Sequence, residues 1–164
     1  MEVRTVVSTD IEKPIRDVFM CFADPKVNAR IDKATRSAEL LQGEAYTKGS
    51  VWRIRIQGPL GVVVKQTQWM TQVDAPYRQS LRLEQAGMTG EEFETFEVEP
   101  SGAVHVSWDA RYHLSWWMVP LAPMLRRTVR TQAQRWIEDM KRAIEAGQGP
   151  ITPIGEIAGH RGHA

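Results

Sequence analysis

Residues 103–125 read AVHVSWDARYHLSWWMVPLAPML, and two periodicities meet inside them. Val104, Val106, Trp108, Ala110, Tyr112 and Leu114 alternate with His105, Ser107, Asp109, Arg111 and His113. A period of two with one apolar side marks a half-buried strand. After Trp117 the period changes. Leu121, Leu125, Val129, Gln132, Trp136, Met140 and Ala143 or Ile144 recur at steps of three and four, which predicts one long amphipathic helix from near Pro120 to Gly147. A last strand running directly into a long helix is the frame on which the rest of the chain is placed.

Upstream, residues 3–9 are rich in Val and Thr and read as a strand. In DIEKPIRDVFMCFADPKVNARI, Pro14 suits a first helical turn, and Ile15, Val18, Phe19 and Phe22 recur at helical spacing. Asp24-Pro25 breaks that helix and starts a second short one reaching about Arg30. Between residues 35 and 114 the breaks are Gly43, Lys48-Gly49, GPLG at 58–61, Asp74-Ala75-Pro76, Gly87, Gly90 and EPSG at 99–102. They separate about six strands, among them SVWRIRIQ, VVVKQTQWMTQV, YRQSLRLEQ and EFETFEVE. Successive strands with short turns predict an antiparallel meander, and so an α+β domain.

One side of such a sheet must be covered, and the long helix is the only element large enough to do it. Alternation assigns Trp52, Ile54, Ile56, Leu81, Leu83, Phe96 and Val98 to the covered side, with Trp108 and Tyr112 of the last strand. Residues 62–73 allow two registers. One turns Val73, Trp69, Thr71, Thr67 and Lys65 inward; a bulge would bring in Met70 and the glutamines instead. The first is the register adopted. Polar residues at inner positions (Thr67, Thr71, Tyr112, Gln132) favour an apolar-walled pocket with a few placed polar groups over a filled core. A core packed solid is the other reading.

A chain of 164 residues suits a single domain, and its 42% hydrophobic and 25% charged residues are ordinary for a globular protein. The formal charge of +1 gives no general pull toward nucleic acid or an anionic surface. Locally, residues 84–99 carry six glutamates and no Lys or Arg, and residues 126–135 carry four arginines and no acid; two solvated faces are the plain reading. Cys21 is the sole cysteine, so no intrachain disulfide can form, and MEVRTVVSTD lacks the apolar core of a signal peptide. Both point to the cytoplasm. The apolar part of HLSWWMVPLAPML runs about a dozen residues where a bilayer span needs roughly 20, so stable membrane insertion is not expected. The domain is placed at residues 1–147. The Gly/Pro-rich end, QGPITPIGEIAGHRGHA at 148–164, is expected to be flexible or laid across the surface.

This order of elements resembles the START/Bet v 1-like (SRPBCC) superfamily, and within it the polyketide cyclase/dehydrase and lipid-transport group. The matching stretches are STDIEKPIRDVFMCFADP, TQVDAPYR, EPSGAVHVSW and WIEDMKRAIEAG, and the resemblance covers roughly residues 3–147. The family often has a tryptophan soon after the Asp-Pro-like break, whereas KVNARID has none. The resemblance implies a helix-grip fold: a curved sheet of about seven strands around the last helix, with two short helices after the first strand and a deep cavity. Members bind lipids, sterols, polyketides or plant hormones, and some catalyse cyclisation and dehydration.

The expected ligand-binding residues are Trp52, Ile54, Ile56, Trp69, Leu81, Leu83, Phe96, Trp108 and Tyr112 of the sheet, and Met124, Leu125, Gln132 and Trp136 of the helix. Trp116 continues the inner parity of Trp108 and Tyr112 and is expected at the entrance. The leading expectation is a carrier of a lipid, sterol-like molecule or aromatic polyketide, because indoles stack on flat rings. The alternative is a polyketide cyclase/dehydratase, which needs a placed acid or base. Tyr112 and Lys65 are the weak catalytic candidates, with Glu94 and Gln132 the other inward-leaning ones. His105 and His113 have outward parity, so no Ser/His/Asp set is defensible. HRGH at 160–163 supplies two ligands, too few for zinc, and GPLG lacks the Lys and spacing of a phosphate loop and reads as a hairpin turn. No cofactor is implied. RRTVRTQAQR at 126–135 has no interleaved aromatics, which argues against nucleic acid, and a homodimer is left open.

Overall fold

The computed structural model describes residues 1–57 and 62–159. Strand β1 (Glu2–Ile11) is followed by helices α1 (Ile15–Phe22) and α2 (Pro25–Ile31). Strands β2 (Thr35–Gln42), β3 (Val51–Gln57), β4 (Val63–Asp74), β5 (Arg78–Gln85), β6 (Met88–Val98) and β7 (Val104–Leu114) form the meander. A 3-10 segment, Trp116–Leu121, leads into α3 (Ala122–Glu145). The seven strands form one antiparallel sheet in the order β1-β7-β6-β5-β4-β3-β2. This is the α+β architecture expected, a curved sheet gripping a long C-terminal helix with two short helices after the first strand.

The meander closes because β1 returns to pair with β7, Val3 opposite Tyr112 and Ile11 opposite Val104. The inner row of β7 is buried from Val104 to Leu114, and Trp52 and Ile54 of β3 and Leu81 and Leu83 of β5 are buried beside it. On the other side of β7, His105 lies against Asp10 at 2.6 Å and His113 near Glu2 at 3.9 Å, both outward as their parity requires.

Strand β4 takes the bulged register. Met70 pairs with Leu81 and Gln72 with Ser80, so Thr71 is the extra residue, and its hydroxyl lies 2.9 Å from that of Ser80. The insertion shifts parity within one strand. Val73 stays inward together with Met70, Gln68 and Gln66, which corrects the inward placement of Trp69, Thr67 and Lys65. Lys65 is exposed on the outer face, and Trp69 lies there under the Arg82 guanidinium.

Helix α3 lies closest along β1. It buries Ala122, Ala133, Ile137, Met140 and Ile144, while Leu125, Val129 and Trp136 are half-buried. The stripe is turned slightly from the one expected. Small Ala122 and Ala133 are buried, while Leu121, Met124 and Gln132 are exposed. At the end covered by α1 and α2, Phe96 meets Phe19 and Phe22 edge-on at 5.3 and 5.6 Å, and Trp136 meets Phe22 and Trp108 at 5.6 and 5.5 Å. That end of the interior is packed solid.

Residues 148–159 are laid across the surface and tied down. Asp24 caps α2 through Lys26 N at 2.9 Å and also accepts from Ile151 N, Thr152 N and the Thr152 hydroxyl at 2.7, 2.7 and 2.8 Å. Tyr46 donates to the Thr152 carbonyl at 2.7 Å, and Glu156 meets Lys26 at 3.1 Å. Ala45 N donates to the Glu156 carbonyl and Ala158 N to that of Gly43. Of the two arrangements expected for this end, residues 148–159 take the one laid across the surface. The HRGH pair and the GPLG turn lie outside the described residues.

Candidate functional site

Strand β6 carries the feature that sets the interior apart. Counting back from buried Phe96, inner parity falls on Glu94, Glu92 and Gly90, so two carboxylates sit near the centre of the sheet's covered face. Glu92 lies between Leu81 of β5 and Ala110 of β7, and Glu94 between Gln79 and Trp108. A buried carboxylate needs donors. Trp108 Nε1 donates to Glu92 Oε2 at 3.2 Å, and the Tyr112 hydroxyl donates to Glu92 Oε1 at 2.8 Å. Gln79 Nε2 donates to Glu94 Oε2.

Gly90 makes the first of these arrangements possible. It stands opposite Tyr112, whose ring lies across it: a Cβ at Gly90 would sit 2.4 Å from Tyr112 Cδ1. The bare backbone lets the ring lie flat and aims its hydroxyl at Glu92.

Electrostatics follow from burial. Loss of water pushes the Glu94 carboxyl up to about 8, partly offset by the Gln79 hydrogen bond and reinforced by the charge on Glu92. Burial also raises Glu92, against the bonds from Tyr112 and Trp108. Tyr112 is raised by burial and then by the neighbouring Glu92. A glutamine band continues the polar surface: Gln68 Nε2 donates to Gln66 Oε1 at 2.8 Å, and Gln66 Nε2 to Gln85 Oε1 at 3.3 Å. Glu92, Gln68, Gln85, Ile56, Leu125 and Val129 all keep partial solvent access, in contrast to the sealed aromatic end.

The structure brings together Trp52, Ile54, Ile56, Leu81, Leu83, Phe96, Trp108, Tyr112, Leu125 and Trp136 around the interior. Phe96, Trp108 and Trp136 belong to its packed end, where Trp136 Nε1 also donates to Asn28 Oδ1 at 2.9 Å. Trp69 and Lys65 are on the opposite face of the sheet, and Met124 and Gln132 are exposed on α3. Trp116 does not continue the strand parity, because the 3-10 turn begins there; it is 86% exposed. Its neighbour Trp117 packs on Gly87, where an added Cβ would lie 2.4 Å from the indole.

Glu92, Gln79 and the glutamines of β4 and β5 are the site residues that sequence reasoning passed over. The inward parity of Glu94 and Glu92 was available by counting back from Phe96, but a glutamate-rich strand reads as solvated. Gln79 and Gln85 share the parity of Leu81 and Leu83, whereas Gln66 and Gln68 required knowing the bulge. Among the described residues, no group of three His, Cys, Asp or Glu is placed to hold a metal, and no helix is long and apolar enough to cross a membrane.

No family model and no curated protein matches the sequence. Among solved structures, the chain is similar to Ara h 8.0201, with 12% identity and a TM-score of 0.72 over 90% of this chain and 100% of that one. It is similar to a conserved protein from Geobacillus kaustophilus, with 11% identity and a TM-score of 0.72 over 89% and 96% of the two chains. A protein from Thermus thermophilus, TTHA0849, matches with 18% identity and a TM-score of 0.67 over 87% and 94%. At such identities the likeness concerns architecture, and it agrees with the strand order and gripped helix described above: the chain has the Bet v 1-like helix-grip fold.

Proposed function

We propose that the protein binds a hydrophobic small molecule, lipid-like or ring-bearing, between the covered face of the sheet and the first half of α3. One observation carries the reading. The inner face of β4 to β6 holds two carboxylates and four glutamine amides (Gln66, Gln68, Gln79, Gln85) among apolar and aromatic neighbours. A core selected only for packing avoids such groups, whereas a ligand site uses apolar walls with a few fixed polar groups. The fold supports the reading, since helix-grip interiors commonly house hydrophobic molecules.

Mass spectrometry of the protein purified under native conditions tests it directly. A co-purified small molecule of mostly hydrocarbon surface is expected, and Tyr112→Phe with Glu92→Gln should reduce its occupancy about tenfold, the scale of one charge-assisted hydrogen bond. Empty protein, together with indole fluorescence unmoved by sterols, fatty alcohols and polycyclic aromatics, would sink the proposal.

A second reading is favoured by Glu94 alone. A carboxyl that exchanges its proton near neutrality is suited to general acid–base chemistry. With Lys65 on the outer face, the acid–base groups of a cyclase/dehydratase would be Glu94 and the Tyr112–Glu92 pair. This reading expects turnover of a poly-β-keto substrate that Glu94→Gln abolishes while binding persists.

A further inference from the structure

We infer that the interior site is built for a hydrophobic amine, its ammonium group held between Glu92 and Glu94. The inference rests on the binding reading above and narrows its ligand class.

The first support is the charge of the face. Among the described residues, the inner positions of β1 and of β3 to β7, read off the strand pairing, carry Glu92 and Glu94 and no Lys or Arg. Arg53, Arg55, Lys65, Arg78, Arg82 and Arg111 all fall on the outward parity. A carboxylate or phosphate ligand would meet like charge and no compensating cation.

The second support is an unmet acceptor. Glu92, Glu94 and Gln79 present five side-chain oxygens to this spot. Three hydrogen bonds reach them, from Trp108, Tyr112 and Gln79 itself. Gln79 is buried, and its Oε1 has no donor among the described residues. Buried acceptors without donors are uncommon and call for a partner. An ammonium group brings three N–H donors, and its positive charge balances Glu92 together with Glu94 once Glu94 has given up its proton. A hydroxyl brings one donor and no charge.

Protonation at the site is consistent with this. Burial keeps a proton on Glu94 up to about pH 8. That proton is what an arriving ammonium displaces to solvent, so amine affinity must rise with pH toward 8, as the competing proton becomes easier to remove.

The experiment is calorimetric titration of the intact protein with three probes of one shape: 2-(2-naphthyl)ethylamine, 2-(2-naphthyl)ethanol and 2-naphthylacetate. At pH 7 the amine should bind at least tenfold more tightly than the alcohol, and the acetate should not bind. Amine affinity should increase between pH 6 and 8, and Glu94→Gln should flatten that dependence and bring the amine to the level of the alcohol. Glu91→Gln, an exposed neighbour of outward parity, should change nothing. Equal binding of alcohol and amine overturns the amine inference and leaves the binding reading standing. Failure of all three probes overturns both, and sensitivity to Glu91→Gln reassigns amine binding to the outer surface and overturns the inference as well.

Discussion

Gly90 shows how a single missing carbon organises the interior. Its backbone supports the Tyr112 ring, and that ring aims its hydroxyl at Glu92. Gly90→Ala should therefore cost about 1–3 kcal/mol by forcing the ring aside, with loss of the Tyr112–Glu92 bond. In a Tyr112→Val background the same change should cost much less, so urea melts of the two single variants and the double variant should show strong non-additivity. At this scale the sequence is legible where a strand runs without interruption. The row from Val104 to Leu114 is placed residue by residue through its alternation. Trp116 is misplaced by the same alternation, because the extended chain ends one residue earlier and a 3-10 turn takes over.

Among the elements, the meander, the two short helices and the long helix were readable because each has its own period and its own breaking residues. The bulge at Thr71 was not, since Met70 and Trp69 are equally suited to an inner position and only the pairing with β5 decides between them. The ordering of residues 148–159 was hidden for a different reason: Gly and Pro suggest freedom, and the anchor lies far back in the chain at Asp24. Asp24 is wholly buried and satisfies donors from α2 and from the C-terminal segment. Asp24→Ala would leave several buried donors unpaired at roughly 1–3 kcal/mol each. Destabilisation of at least about 3 kcal/mol is expected, with loss of amide-exchange protection concentrated at Ala45 and at residues 151–158. Uniform loss of protection across the sheet, with the strap unaffected, would contradict the assignment.

For the molecule as a whole, the interior carboxyls set a pH dependence opposite to that of a protein held by surface ion pairs. Glu94 keeps its proton in the folded state up to about 8. In the unfolded chain it releases it near the ordinary glutamate value of about 4.3. The folded state thus binds more protons between those limits, and stability falls as pH rises through that window. Below the unfolded value the contribution is fully present, and above about 8 it is gone. Glu92, also raised, acts in the same direction. Thermal melts from pH 5 to 8.5 should show a falling Tm, and Glu94→Gln should flatten the slope and raise Tm at pH 8 by several degrees, at roughly 2–4 °C per kcal/mol.

The buried Asp24 also bears on synthesis. Its carboxylate is oriented by Thr152, 128 positions further along the chain, just as β1 waits for β7 to supply its sheet neighbour. Contacts of such long range are formed late and slow the search for the native state. On the ribosome, the first strand and the α1–α2 corner must therefore remain unfinished until nearly all of the described chain has emerged. A nascent chain halted before Thr152 should expose that corner to protease, and one released after it should not.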